Sequence, residues 1–161
     1  MIRLENVSKY YTSLSTVGVG IRRVSLELSI GEFVVVTGPS GSGKSTLLNV
    51  ISGLDTYEEG EMFVRGEETS HFTVDDWENH RSAMIGFIFQ DYNVIDSLTV
   101  LENVMVALEL RGLDNKTCRH KAMTLIDRVG LSARANHKAG KLSGGDKQRT
   151  VIARALAKES P

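Results

Sequence analysis

The chain has 161 residues, 41% of them apolar and 24% charged, which suits a single globular domain with a real core. Its net charge of −1 argues against a nucleic-acid-binding surface or a polybasic membrane anchor. No apolar run approaches the roughly 20 residues a bilayer-spanning helix needs, and Met1-Ile2-Arg3-Leu4-Glu5 lacks a signal peptide's apolar core, so the expected compartment is the cytoplasm.

Ile2–Val7 alternates apolar and polar residues, as a half-buried strand does. A Ser/Thr/Gly-rich loop follows Lys9-Tyr10-Tyr11 and runs to Gly20. Val24, Leu26, Leu28 and Ile30 alternate again, giving a second strand that turns at Gly31-Glu32. Phe33-Val34-Val35-Val36-Thr37 is apolar and β-branched, the pattern of a buried parallel strand. Leu47–Ser52 reads as a short helix closed by Gly53. Glu61–Arg65, between Gly60 and Gly66, is a further strand. Thr73 and Asp76 have capping-box spacing ahead of a helix to about Met84. Ile85–Phe89 is expected to be another buried strand, stopping at Gln90.

From there the pattern turns helical. Thr99 and Glu102 form a second capping box, opening a helix whose Val100, Val104, Ala107, Leu108 and Arg111 share a face up to Gly112. A helix from about Asn115 to Val129 should stop at Gly130-Leu131 in a Schellman-type end. The last begins near Ser143 and runs to about Ala157, with Val151, Ile152, Ala155 and Leu156 as its apolar stripe. Cys118 has no cysteine to pair with and reads as a plain thiol. His71, His80, His120 and His137 show no metal-ligand spacing and read as surface or core residues.

Two stretches carry chemistry. Gly38-Pro39-Ser40-Gly41-Ser42-Gly43-Lys44-Ser45-Thr46 fits the phosphate-loop pattern G-x-x-x-x-G-K-[ST], with a strand pattern before it and a helix pattern after it. Glycines let the backbone reach φ > 0 and approach a phosphate closely, and the helix adds its positive end. Lys44 supplies a point charge for the β- and γ-phosphates, and the Ser45 hydroxyl can ligate Mg²⁺. Leu142-Ser143-Gly144-Gly145-Asp146-Lys147-Gln148-Arg149 repeats this physics: a Ser N-cap, two glycines, then a helix. Taken alone, it is either a plain cap or a second phosphate-binding end.

With Gly38–Thr46, Gln90 and Leu142–Arg149 in this order, the chain resembles the ATP-binding subunits of ABC (ATP-binding cassette) transporters over essentially its whole length. Gly86–Asn93 and Leu98–Val104 look most like the lipoprotein-release and macrolide-export type, although Asp96 stands where that type often has proline. The resemblance implies an α/β phosphate-loop NTPase core with a small antiparallel β-subdomain and a helical signature subdomain. It divides residues 1–161 into a β-subdomain and core, 1–90, and a helical subdomain, 91–161.

It further implies that ATP and Mg²⁺ bind at Gly38–Thr46, with Ser45 and Gln90 on the metal, and with Lys44 and Gln90 as the catalytic residues present. An aromatic residue stacks on adenine; Tyr11 is the favoured match, with Tyr10 the alternative. Ser143, Gly144, Gly145 and Gln148 would close on the ATP of a second copy, making a homodimer. Tyr92–Ser97 would dock a permease, fused or separate, at the inner face of the cell membrane.

In the family an apolar strand ending in Asp and Glu follows the signature helix, and this sequence reaches Pro161 before it. The core is therefore expected to be truncated before the second half of its sheet, with the binding half of the site present and the hydrolytic half lacking. The alternative function is an ATP-binding module or gene fragment without turnover. A phosphate-loop GTPase is disfavoured, since Asn115-Lys116-Thr117-Cys118 fails the guanine-reading Asn-Lys-x-Asp at its last position.

Overall fold

The computed structural model describes residues 1–13 and 16–158. Contacts divide the chain into two compact units, Met1–Arg81 and Ser82–Pro161.

The first unit is built on an antiparallel sheet of order β2-β1-β3-β4. Its strands are β1 (Ile2–Ser13), β2 (Thr16–Leu28), β3 (Glu59–Val64) and β4 (Glu67–Glu68). Ile2 pairs with Leu28 on one side and Val64 on the other, so β1 is central. Arg65 and Gly66 both have positive φ, 55° and 87°, as a two-residue hairpin loop between β3 and β4 requires. Helix α1 (Lys44–Ile51) lays Leu47, Val50 and Ile51 on Leu4, Val7, Ile21 and Met62 to form this unit's core. Helix α2 (Val74–Met84) starts at the expected box: Thr73 N–H donates to Asp76 Oδ2 at 2.8 Å, and Asp76 N–H donates back to Thr73 Oγ1 at 3.3 Å.

The second unit packs three helices, α3 (Val100–Glu109), α4 (Asn115–Arg128) and α5 (Gly144–Leu156). Val100, Leu101, Val104 and Leu108 of α3 meet Cys118, Ala122 and Ile126 of α4 and Ala153 of α5 in its core. The Thr99–Glu102 capping box forms as expected. Gly130 and Leu131 N–H groups reach the Asp127 and Ile126 carbonyls, the paired bonds of a Schellman stop, with Gly130 at φ 72°. Gly53 ends α1 the same way, at φ 69° with Leu54 bonded back to Asn49. Cys118 is fully buried; its thiol donates to the Leu113 carbonyl, and burial pushes its pKa up. Of the histidines, His80 is buried and the other three are exposed.

Thr12, Ser13 and Thr16–Gly20, expected in a loop, lie instead in β1 and β2, which pair with each other as a ladder. Two expected strands also fail. Phe33–Thr37 is not a strand, and Phe33 is 91% exposed. Ile85–Phe89 is not a strand either; Ile88 and Phe89 are exposed, and Phe87 and Phe89 stack on each other with centroids 5.2 Å apart. The physical reason is shared. A strand is defined by a ladder partner, and among the described residues neither run has one. The apolar pattern correctly marks segments with β-preference but does not supply the neighbour.

Candidate functional site

The phosphate loop takes its shape from its glycines and from Lys44. Gly38, Gly41 and Gly43 have φ values of 152°, 78° and 89°. Gly43 is the N-cap of α1, and a Cβ there would stand 2.1 Å from the Gly20 carbonyl oxygen. Lys44 Nζ donates to the carbonyls of Gly38 at 2.9 Å and Pro39 at 2.7 Å, and lies 3.4 Å from Ser42 Oγ. Ser42 N–H returns to the Pro39 carbonyl at 3.3 Å. The loop is thus wound around its own cation. Ser40, Gly41, Ser42 and Ser45 are exposed along it, and Thr46 is half-buried. Closely packed backbone, an ammonium and the start of a helix are the donor set that fits a polyphosphate.

Tyr11 lies beside this loop. Its hydroxyl donates to Asp55 Oδ2 at 3.0 Å and reaches Thr46 Oγ1 at 3.4 Å. A Cβ on Gly20 would meet both the Tyr11 ring and the Thr46 methyl at 2.8 Å, so glycine at 20 lets ring and helix approach. Tyr10 turns elsewhere, its hydroxyl donating to Glu59 Oε2 at 3.0 Å.

Behind Tyr11, Lys9 is buried with its ammonium 3.0 Å from Asp55 Oδ1, 2.9 Å from Glu58 Oε1 and 3.2 Å from Thr56 Oγ1. Burial pushes Lys9 down, but its bonds to Glu58 and Asp55 outweigh that and leave its pKa above the ordinary lysine value. Burial likewise pushes Asp55 up, and bonds from Lys9 and Tyr11 reverse this and hold the carboxyl below its usual range. Sequence reasoning missed both residues. Lys9 lies beyond the alternating Ile2–Val7 stretch, in a run where Val7, Ser8 and Lys9 are all buried, and no pattern distinguishes a buried lysine from a solvated one.

In the second unit Gln90 is exposed at the start of a turn in which Tyr92 and Asn93 have φ of 60° and 51°. The turn delivers Tyr92 to the signature: a Cβ on Gly144 would stand 3.3 Å from the Tyr92 hydroxyl oxygen. Ser143 caps α5, its hydroxyl accepting from Asp146 N–H at 3.3 Å, while Gly144, Gly145 and Gln148 are exposed. That exposed first turn carries the helix's positive end.

Asp146 is buried and receives the guanidiniums of Arg134 and Arg149. The Ser143 hydroxyl and then these two cations hold its carboxyl below the usual range. This anchor was also missed: the spacing of Ser143 and Asp146 marks a helix start but not the two arginines that meet the carboxylate. Asn103, wholly buried on α3, accepts from Ile95 N–H at 2.9 Å and donates to the carbonyls of Ile95 at 3.1 Å and Thr99 at 2.9 Å.

A phosphate loop beside an aromatic ring, together with a Gly-Gly helix start anchored through a buried aspartate, defines the class as a nucleotide-binding cassette. Residues 21–161 match the family model described as ABC transporter. The chain is 42% identical over 157 residues to an uncharacterised ABC transporter ATP-binding protein of Methanocaldococcus jannaschii, covering 98% of this chain and 70% of that protein. It is 38% identical over 156 residues to the lipoprotein-releasing system ATP-binding protein LolD of Bacteroides fragilis, covering 97% and 70%. It is 41% identical over 160 residues to the macrolide export ATP-binding/permease protein MacB of Hyphomonas neptunium, covering 99% of this chain and 25% of that protein.

Among solved structures, the dimeric post-hydrolysis state of the ATP-binding cassette MJ0796 bound to ADP and Pi superposes with a TM-score of 0.93 at 40% identity, covering 100% of this chain and 71% of that one. The chain belongs to the ABC transporter family, as the ATP-binding component of a transporter, and falls with the lipoprotein-release and macrolide-export group. No helix among the described residues is long and apolar enough to cross a membrane.

Proposed function

We propose that this chain binds Mg-ATP on Gly38–Thr46 and Tyr11 and pairs with a second copy whose Ser143–Gly145 and Gln148 cover the γ-phosphate. The observation that carries the reading is the loop wound around Lys44, whose ammonium sits between the Gly38 and Pro39 carbonyls. A phosphate chain offers that cation a better partner, because charge-assisted bonds to an anion are about twice as strong as neutral ones.

Ser45 and Gln90 are the metal-contacting residues of this reading, with Gln90 contacting either the metal or the attacking water. Magnesium supplies charge neutralisation of the β- and γ-phosphates when bound. The position of Tyr11 against Thr46 favours it over Tyr10 as the ring under adenine. Two-fold pairing is supported by the dimeric state of the similar cassette, which its description gives as bound to ADP and Pi. Tyr92–Ser97 docks a membrane permease and holds the protein at the cytoplasmic face, a role supported by the bond that the Asp96 carboxylate accepts from Lys147 of the signature helix.

Lys44→Ala tests the reading directly. A charge-assisted contact is worth about 1.5–3 kcal/mol, so ATP affinity should fall roughly 10- to 100-fold with the fold retained. Unchanged affinity by equilibrium titration would sink it.

A further inference from the structure

Tyr11 is tethered as well as placed. Tyr11 is 44% exposed, as a stacking residue must be, yet its hydroxyl bridges Asp55 Oδ2 and Thr46 Oγ1. Asp55 is fixed in turn, because its other carboxylate oxygen takes the Lys9 ammonium at 3.0 Å. That ammonium is held on three oxygens and lies 5.4 Å from the centroid of the Tyr11 ring.

The arrangement runs Lys9, Asp55, Tyr11, Thr46, and so joins the sheet, the segment after α1, the aromatic ring and the phosphate loop. A strap that only closed the sheet onto α1 would be complete with Lys9, Asp55 and Glu58. It would not need the tyrosine hydroxyl on the same carboxylate.

We propose that Lys9 and Asp55 are positioning residues for the purine of the bound nucleotide, holding the Tyr11 ring at a set angle and distance from the phosphate loop. This rests on the reading of Tyr11 as the base-stacking residue. An untethered surface tyrosine must be ordered each time a nucleotide binds, whereas a tethered one is ordered beforehand. Ordering one side chain of this kind corresponds to about two- to tenfold in affinity. The advantage applies to the base alone, since the phosphate cradle is built from other residues. Thr46 is the contact through which ring and cradle keep a common register.

The test compares ATP with inorganic tripolyphosphate, which has the phosphates and no base, on the intact protein by calorimetry. Asp55→Asn and Tyr11→Phe should each weaken ATP about two- to tenfold while leaving tripolyphosphate unchanged. The double variant should be no weaker than the worse single, because both break one tether. Tyr11→Ala should weaken ATP further.

Equal weakening of ATP and tripolyphosphate by Asp55→Asn would show a merely structural role and overturn the proposal. So would unchanged ATP affinity in Asp55→Asn and Tyr11→Phe alongside a loss in Tyr11→Ala, which leaves base stacking intact but untethered. No effect of Tyr11→Ala on ATP would remove the stacking reading itself, and the inference with it.

Discussion

The Asp96 carboxylate accepts from the Lys147 ammonium at 3.1 Å across 51 positions of sequence, tying the turn after Gln90 to the signature helix. The segment just before that helix adds two bonds to the same turn: Gly140 N–H donates to the Asp96 carbonyl at 3.1 Å, and the Lys138 ammonium donates to the Ser97 carbonyl at 2.6 Å. The Asp96 side chain is 67% exposed, so its ion pair is the weaker part of the link. Lys147→Ala should therefore cost less than about 1 kcal/mol, and less still in high salt.

Asn103→Ala should cost more. It removes a fully buried amide and its three bonds and leaves the Ile95 N–H without its partner, while the Ile95 carbonyl keeps the Leu98 N–H at 3.0 Å. Groups orphaned in this way cost about 1–3 kcal/mol. Denaturant midpoints of the two variants, measured side by side, check the order; a larger loss in Lys147→Ala would contradict it.

The glycines of the phosphate loop should separate by mechanism. Gly41 and Gly43 both have positive φ, but a Cβ on Gly41 meets nothing within 4 Å. Gly41→Ala should thus cost only the left-handed penalty, about 1–2 kcal/mol. Gly43→Ala adds a collision at 2.1 Å with a backbone oxygen and should both destabilise further and abolish nucleotide binding. Thermal melting with nucleotide titration reads both effects, and equal behaviour of the two variants would refute the distinction.

Ser143→Arg and Gly144→Asp should leave ATP binding to the monomer nearly intact and block nucleotide-dependent dimerisation. On the proposed pairing, Gly144→Asp sets a carboxylate against the partner's γ-phosphate, and like-charge juxtaposition costs several kcal/mol, about two orders of magnitude or more in the dimerisation constant. Ultracentrifugation with a parallel binding titration checks it. Equal loss of both properties would reduce Ser143–Gly145 to a local cap.

The pH dependence of stability should report Asp146. Its folded pKa is depressed by Ser143 and by Arg134 and Arg149. A depressed carboxylate contributes stability that is fully present above its unfolded pKa, about 3.9, and is lost as pH falls through the lower folded value. The stability difference between wild type and Asp146→Asn should hold steady from about pH 5 to pH 8 and shrink below about pH 4. A difference that grew on acidification would have the wrong sign.

Local chemistry was written in the sequence and survives in the structure. Thr73–Asp76, Thr99–Glu102, Gly53, Gly130 and the glycines of Gly38–Thr46 each act through bonds or dihedrals within a few residues, so spacing alone specifies them. What the sequence could not determine was every feature that needs a distant partner. Phe33–Thr37 and Ile85–Phe89 have strand composition but no ladder neighbour among the described residues, and pairing is a property of two segments. Lys9 is buried only because Asp55 and Glu58 arrive from beyond α1 to compensate its charge, and Asp96 meets Lys147 only because the turn after Gln90 folds onto α5. Burial and ion pairing between separated residues depend on the tertiary path of the chain, which periodicity and motif spacing do not encode.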